Sequence, residues 1–182
     1  KHCDDVLEKV SKNTNLLLLC RPYLTIYSAK LFYYQFIHCQ LIYGIHIYHV
    51  FPPSTFSNCI FLQQKRALRI IANVNHIPYY LIRTNDLCSQ LRILPMPSLS
   101  MYFTCLYGYK ILVHLSPQYI SNLFTSNESR FPKRDQKLLL IPLDSLNHAV
   151  STRLNNLPFS LRATDKLKTF KTNLLKHIFQ AI

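Results

Sequence analysis

An acidic pair near the start of the chain, Asp4-Asp5, is one of the few combinations with residue types suited to catalysis. Polymerases use adjacent aspartates to hold two metal ions for nucleotidyl transfer. The catalytic pair normally lies at a tight turn between two apolar strands, whereas here Lys1 and His2 precede it and an amphipathic helical pattern follows. Acidic side chains in the first turn complement the positive end of a helix dipole. We therefore interpret Asp4 and Asp5 as the start of a helix.

A second candidate is a metal site built from His38, Cys39, His46 and His49. Zinc sites need paired ligands at short spacing and a second pair elsewhere. His46 and His49 would be neighbours on a helix, but no second pair accompanies them, so we interpret these histidines as part of an aromatic core. No glycine-rich phosphate loop is present, and nothing arranges Ser, His and Asp as a triad. The sequence therefore predicts no catalytic residue, no metal ion and no cofactor.

Three cations in the stretch "LQQKRALRIIANVN", residues 62–75, suit phosphate binding: Lys65, Arg66 and Arg69. On a helix, at about 100° per residue, they fall within one narrow arc, which Leu62 shares. Apolar residues gather on roughly the opposite side, namely Ile60, Phe61, Ala67, Leu68 and Ile71. Such a face would neutralise phosphates without reading base sequence. The alternative is a surface helix whose basic face is merely solvated.

The charge balance of the whole chain favours phosphate binding by this face over a face that is merely solvated. Its 182 residues include 21 Lys+Arg against 8 Asp+Glu, for a formal net charge of +13. No acidic residue occurs between Lys9 and Arg83. Such an excess indicates a polyanionic partner, either nucleic acid or an acidic membrane surface. Because surfaces that only need solubility usually mix both signs, we expect RNA, DNA or an RNA–DNA hybrid, bound without sequence specificity.

The cysteines and the first residue lead to expectations about the cellular compartment and about a longer parent protein. Its six cysteines are widely spaced, with no CxxC pair and no signal peptide, which predicts reduced, buried cysteines in an intracellular protein of the nucleus or cytoplasm. The chain begins at Lys1 rather than Met, so we expect a piece of a longer protein.

Composition and periodicity predict a mainly α, bundle-like fold. Hydrophobic residues make up 49% of the chain, Gly is scarce at 2 residues, and 10 prolines mark the connections between helices. We expect a helical region over 1–115, which includes a helix over 79–94. A polar loop over 116–137 and a C-terminal segment over 138–182 follow, with at most a short extended piece near 138–143. That segment ends in an amphipathic helix whose apolar stripe is Leu167, Phe170, Leu174, Leu175 and Ile178, with Thr164 as its expected cap.

A membrane span is the alternative for the aromatic-rich segment. Residues 31–64 carry no Asp, Glu, Lys or Arg, and 31–51 is long enough to cross a bilayer. Glutamine and histidine side chains interrupt it throughout, and each would need a partner at bilayer depth. We therefore expect a buried helix of a soluble core, with a membrane-associated small protein as the rival hypothesis.

Four stretches, in order, resemble the region after the polymerase domain of LINE-type, non-LTR retrotransposon reverse transcriptases of the jockey and RTE type. "FYYQFIHCQLIYGIHIY" resembles the family's "YYALFHSHLxYGIxxWG", and "IFLQQKRALRIIANVN" resembles "xxLQKKAIRIIxxxx". "LRILPMPSLSMYFTCLYGYK" is similar to "xILxLxxLxxYxxxxFxYK", and "RLNNLPFSLRATDKLKTFKTNLLKHIF" to the closing "WNxLPxxIRxxxSxxxFKxxLKxxL". The resemblance spans nearly the whole chain.

The resemblance implies a helical, thumb-like and connecting segment that contacts template and primer. The catalytic aspartates of an RNA-directed DNA polymerase would lie upstream in the palm, outside this chain, so the chain alone is expected not to be an enzyme and to have the palm as a partner. The matching positions are Tyr43, Gly44, Ile45, Gln64, Lys65, Arg66, Ala67, Arg69, Ile70, Ile71, Asn155, Leu157, Pro158, Phe170 and Lys171.

Our expected nucleic-acid-binding residues are Lys65, Arg66 and Arg69 first, followed by Lys166, Lys168 and Lys171. Tyr33, Tyr34 and Tyr43 have rings that could stack on bases, although packing in an aromatic core is the preferred interpretation. The chain departs from the family at Tyr48 and Leu154, where the family has Trp, and at His49, where it has Gly. These losses agree with a truncated or decayed copy of the element, and a decayed product with no activity is the remaining alternative.

Overall fold

The computed structural model describes residues 2–45, 54–122, 124, 145–164 and 166–180. Every regular element among them is helical, and no strand occurs in these ranges, which confirms the mainly α prediction. The chain divides into two compact units, Lys1–Pro97 and Ser98–Ala181. The extended piece expected near 138–143 and most of the loop expected over 116–137 lie outside the described residues.

The helices follow one another along the chain with short connections between most of them. In order they are α1 (His2–Cys20), α2 (Ile26–Phe32), α3 (Cys39–Ile42), α4 (Ser54–Ile71), α5 (Thr84–Leu91), α6 (Met96–Leu112), α7 (Gln118–Ser121), α8 (Ser145–Asn155), α9 (Phe159–Arg162) and α10 (Leu167–Gln180). A short 3₁₀ turn, Arg21–Tyr23, follows α1, and a π-helical segment, Tyr33–His38, joins α2 to α3.

Helix α1 forms one wall of the first unit and packs against α4 and the π-helical segment. Its first turn holds Asp4 and Asp5, as predicted for a helix start. Val6, Val10 and Leu17 are buried at helical spacing along one face. The helix is therefore held by its apolar face, since tertiary packing supplies most of the stability of protein helices.

The aromatic-rich segment is a helix with a π-helical interruption. Tyr33, Ile37, Leu41 and Ile45 are buried, as the preferred interpretation predicted, but Leu31, Phe36 and Tyr43 are exposed, so the helix is buried on one side only. The side-chain amide of Asn13 donates to the carbonyl oxygen of Phe36 at 2.7 Å, giving one carbonyl of the interrupted ladder a partner. Among the helices of the described residues, none is both long and apolar enough to cross a membrane.

Helices α4, α5 and α6 each end in the same hydrogen-bonded turn. A residue with positive φ follows each helix: Asn73 at 58°, Arg92 at 53° and His114 at 53°. After α4, the Val74 N–H donates to the Arg69 carbonyl at 2.9 Å and the Asn73 N–H to that of Ile70 at 3.0 Å, which defines a Schellman turn. Glycine normally occupies this left-handed position because it lacks a Cβ.

The second unit is built around close contacts of α6. A Cβ added to Gly108 would lie 3.0 Å from Val150 Cγ1 and 3.2 Å from Leu154 Cδ2, so α6 and α8 approach through this glycine. The ring of Tyr109 stacks on that of Phe170 with centroids 3.9 Å apart and planes 9° from parallel. These contacts link α6 to both α8 and α10.

Several sequence-based details differ in the structure. The helix expected over residues 79–94 is confined to Thr84–Leu91. Helix α10 begins at Leu167, so Lys166 rather than Thr164 occupies the position before its first residue. Phe170, Leu174 and Ile178 form its buried stripe, as predicted. All six cysteines are free, but only Cys88 and Cys105 are buried and the other four are half-buried.

Candidate nucleic-acid interface

The predicted arrangement of α4 holds in part: Phe61, expected on the apolar side, is half-buried beside Lys65, and Arg69, expected on the basic face, is buried. Ile60, Ala67, Leu68 and Ile71 are buried, whereas Leu62, the expected exception, is exposed. Lys65 and Arg66 are half-buried. Lys65 places its Nζ 4.2 Å from the centroid of the Phe61 ring, where the negative face of the ring attracts the ammonium group. The aliphatic stem of Lys65 thus lies along the helix.

Arg69 differs from its two neighbours because only 3% of its surface is exposed. Its Nη2 donates to the carbonyl oxygen of Val74 at 2.9 Å and also to that of Ile77. The guanidinium carbon lies 4.3 Å from the centroid of the Tyr79 ring. Arg69 Nε is buried without a hydrogen-bond partner among the described residues. Arg69 therefore organises the loop that follows α4, in addition to any role in binding.

A cleft of about 200 Å³ lies where α4 meets this loop. Its lining combines two guanidinium groups, one side-chain amide and one phenol ring with apolar side chains from α1 and α4. The lining residues are Leu18, Arg66, Arg69, Ile70, Asn75 and Tyr79. Among the described residues, the lining includes no carboxylate. The cleft therefore presents a concentrated positive charge on a partly apolar wall, where charge interactions are screened less than on an open surface.

The C-terminal end of α4 is fixed by Arg21. Its Nε donates to the carbonyl oxygen of Ile70 at 2.9 Å, and its Nη2 donates to that of Ile71 at 3.0 Å. Arg21 gives the Ile71 carbonyl a partner and adds a second donor to the Ile70 carbonyl, which also accepts from the Asn73 N–H. A cation at this position also complements the negative end of the helix dipole. Arg21 thereby holds α4 in place near the cleft.

Gln64 is fully buried and ties three segments of the first unit together. Its Nε2 donates to Tyr33 Oη at 3.0 Å and to the Leu94 carbonyl oxygen at 2.9 Å. Its Oε1 accepts from the Met96 N–H at 2.7 Å. Burial raises the pKa of Tyr33, which keeps the phenol protonated. Gln64 is therefore a structural residue that sets the position of α4.

The tyrosines proposed for base stacking fall into two groups. Tyr33 is buried and hydrogen-bonded to Gln64, so its ring belongs to the core. Tyr34 and Tyr43 are exposed, as are Tyr79 and Tyr80 in the loop after α4. Aromatic rings available beside the basic cleft therefore come from a loop that sequence reasoning did not single out.

The remaining expected binding residues lie in the second unit. Lys166 and Lys168 are exposed, and Lys171 is half-buried on α10. They are consistent with either a phosphate-binding face or a solvated one. The structure thus places the six candidate cations in two units, three on α4 and three at or near the start of α10.

Metal and thiol chemistry receive no support from the described residues. His, Cys, Asp and Glu side chains nowhere gather there in a group of three or more that could hold a metal ion. His46 and His49 lie outside the described residues. Burial raises the pKa of the Cys88 thiol to about 11 and that of Cys105 to about 12, so neither is a thiolate at neutral pH.

Comparisons with models of known protein families, with curated proteins and with solved structures found no match for this chain.

Sequence reasoning did not find Arg21, Asn75 or Tyr79 as parts of this region. Arg21 lies 49 residues before the carbonyl of Ile70 that it binds, and no local pattern reveals so distant a pairing. Asn75 lies where the sequence marks only a helix end, and Tyr79 was expected to begin the next helix. The signal that was available is the pair of asparagines at 73 and 75, since asparagine tolerates the left-handed conformation that ends helices.

Proposed function

We propose that this chain is the helical C-terminal part of a LINE-type reverse transcriptase and contacts template–primer nucleic acid through the basic face of α4. The ordered resemblance of four stretches supports the family, and the family places this region beside the template and primer. The chain itself acts in binding, and the polymerase chemistry belongs to the palm.

The observation that carries the proposal is the pairing of Arg66 and Arg69 in one cleft without a carboxylate. Burying a charged group is costly unless it is paired and hydrogen-bonded. Backbone carbonyls and the Tyr79 ring partly compensate Arg69. A phosphate oxygen would complete this compensation, because planar guanidinium groups match phosphate geometry.

Lys65 extends the same face by one turn from Arg69. Its ammonium group is held over Phe61 and pairs with no carboxylate of the described residues, so it adds to the positive potential along the helix. Contacts of this type go to the sugar–phosphate backbone and set affinity and position rather than sequence preference. The proposal therefore predicts binding to hybrids of unrelated sequence with similar affinity.

The test compares two charge-matched double variants for binding to a fluorescently labelled RNA–DNA hybrid at low salt. Lys65→Gln with Arg66→Gln removes two cations from the basic face, whereas Lys9→Gln with Arg83→Gln removes two exposed cations elsewhere in the same unit. Arg69 is left intact because its loss would unfold the loop that it holds. We expect a loss of about tenfold or more in the first variant only.

Equal losses of affinity in the two variants would show that binding depends only on net charge. This result would refute a specific role for α4. A folded chain that binds neither hybrid, RNA nor DNA would instead support the decayed product with no activity. Circular dichroism of each variant shows that any loss of binding occurs in a folded chain.

A further inference from the structure

The cleft at the end of α4 is small. At about 200 Å³ it has room for one tetrahedral oxyanion and a few waters, whose share of liquid volume is about 30 Å³ each. It is smaller than the roughly 300–1,000 Å³ pockets that enclose whole small molecules. A ligand seated there would therefore insert a single group and leave the rest of its structure outside.

Its polar groups all favour a phosphate. Arg66 and Arg69 supply two positive charges, the amide of Asn75 supplies N–H donors, and the Tyr79 hydroxyl can donate as well. Leu18 and Ile70 provide an apolar wall that limits competition from water. The conformation of Arg69 is fixed in advance by the Val74 and Ile77 carbonyls, so little side-chain freedom is lost on binding.

Charge balance distinguishes a terminal phosphate from an internal one. A phosphate monoester carries about −1.5 to −2 at pH 7, whereas a phosphodiester carries −1. Two guanidinium groups match the dianion, since the described part of the lining includes no carboxylate. An internal diester would also need the strand to leave the cleft on two sides. The chemistry therefore favours the end of a strand.

We infer that the cleft lined by Arg66, Arg69, Asn75 and Tyr79 binds one phosphate monoester, the terminal phosphate of a nucleic-acid strand. This inference rests on the proposed function for its source of phosphate. Tyr79 at the edge of the cleft and the next residue, Tyr80, are 65% and 83% exposed. Their rings are available for stacking of the first bases of the strand. The site thus recognises a strand end through its phosphate and holds the adjoining bases without sequence preference.

The experiment measures binding of the full chain to one short single-stranded DNA carrying either a 5′-phosphate or a 5′-hydroxyl group. Calorimetric titration with inorganic phosphate at constant ionic strength is the second arm. Two cleft variants are used, Arg66→Gln and Asn75→Leu, of which the second leaves the charge unchanged. Arg83→Gln, an exposed arginine of the same unit, is the matched control.

We expect the phosphorylated strand to bind at least about tenfold more tightly than the hydroxyl strand. This preference should disappear in Arg66→Gln and Asn75→Leu and persist in Arg83→Gln. Inorganic phosphate should bind the parent chain. By competing for the cleft, it should reduce the preference for the phosphorylated strand.

The other outcomes separate this inference from the proposed function. Equal affinity for both strands, lost when Lys65 and Arg66 are both replaced, would overturn the terminal-phosphate site while leaving the nucleic-acid interface intact. Binding of inorganic phosphate through Arg66, without binding of either strand or of the RNA–DNA hybrid, would keep a phosphate cleft but overturn both its nucleic-acid source and the proposed function. If the folded chain bound neither these ligands nor the hybrid, both the inference and the proposed function would be overturned.

Discussion

Replacing Gln64 with leucine tests whether one buried amide holds the first unit together. Leucine has a similar volume and suits a helix, so the change removes hydrogen bonds while leaving little cavity. It leaves the Met96 N–H, the Leu94 carbonyl and the Tyr33 hydroxyl without their partner. All three bonds are 2.7 to 3.0 Å long and buried.

The expected loss follows from these three bonds. A typical hydrogen bond contributes about 1 kcal/mol net, and each buried group left unsatisfied costs about 1–3 kcal/mol. The greater apolar surface that leucine buries offsets part of this loss of stability. We therefore expect Gln64→Leu to lower the free energy of unfolding by about 3 kcal/mol, a large share of the 5–15 kcal/mol typical of a protein domain.

The neighbouring residue offers a matched control. Gln63 is half-buried, and its Oε1 is buried without a hydrogen-bond partner among the described residues. Gln63→Leu makes the same chemical change one position earlier on the same helix and removes an unsatisfied oxygen. We expect it to be neutral or slightly stabilising.

Urea denaturation followed by circular dichroism measures both variants. A double-mutant cycle with Tyr33→Phe adds a second check, because the tyrosine substitution should cost about 1 kcal/mol in the parent chain and much less once Gln64 is leucine. Equal stability of Gln64→Leu and Gln63→Leu would refute the structural role of Gln64.

Three further predictions concern the helix ends, a helix crossing and a half-buried imidazole. Arg92→Gly should raise the free energy of unfolding by about 1 kcal/mol in urea denaturation, because glycine adopts the positive φ of this position without strain. As a control, Ser89→Gly inside the preceding helix should lower the free energy of unfolding by about as much. Gly108→Ala should destabilise the second unit by about 1 kcal/mol, seen as a lower thermal midpoint. Pressing the new Cβ on Val150 costs about 1–3 kcal/mol, which outweighs the gain of about 0.5–1 kcal/mol from replacing a glycine inside a helix. Burial lowers the pKa of His38 below the usual value of about 6.5, so the unfolded chain binds a proton more readily. The stability that His38 contributes should be fully present above about pH 6.5 and decline as the pH falls through the folded pKa of His38. His38→Phe should flatten this pH dependence of the free energy of unfolding. An unchanged pH profile in the variant would contradict a lowered pKa of His38.

Periodicity predicted the helices whose two faces differ most in polarity. The burial of Leu68 and Ile71 opposite Lys65 and Arg66 follows from spacing alone, because a helix face that is apolar at every turn has to pack. The buried stripe of α10 follows for the same reason.

Sequence reasoning could not separate Arg69 from the other two cations of α4. Its burial depends on how the chain turns after Asn73, and this turn brings the carbonyls of Val74 and Ile77 to the guanidinium. The π-helical insertion at Tyr33–His38 also escaped prediction, since it leaves no clear mark on the apolar spacing. In both cases long-range or loop geometry outweighs local propensity.

The candidate site was therefore predicted only as a basic face. The cleft needs Leu18 from α1 and Tyr79 from the loop, and their proximity to Arg66 is a product of the tertiary fold. Charge excess in a sequence indicates the class of partner, whereas the position of the cleft depends on packing.

The salt dependence of binding to an RNA–DNA hybrid is the most direct test of a phosphate-contacting role for α4. The logarithm of the association constant should fall linearly with the logarithm of salt concentration, because each neutralised phosphate releases counterions. Replacing Lys65 and Arg66 with glutamine should reduce the slope by about 2, one unit for each lost contact, with the same reduction on hybrids of different sequence. A slope that these replacements leave unchanged, or binding that does not depend on salt, would contradict the account.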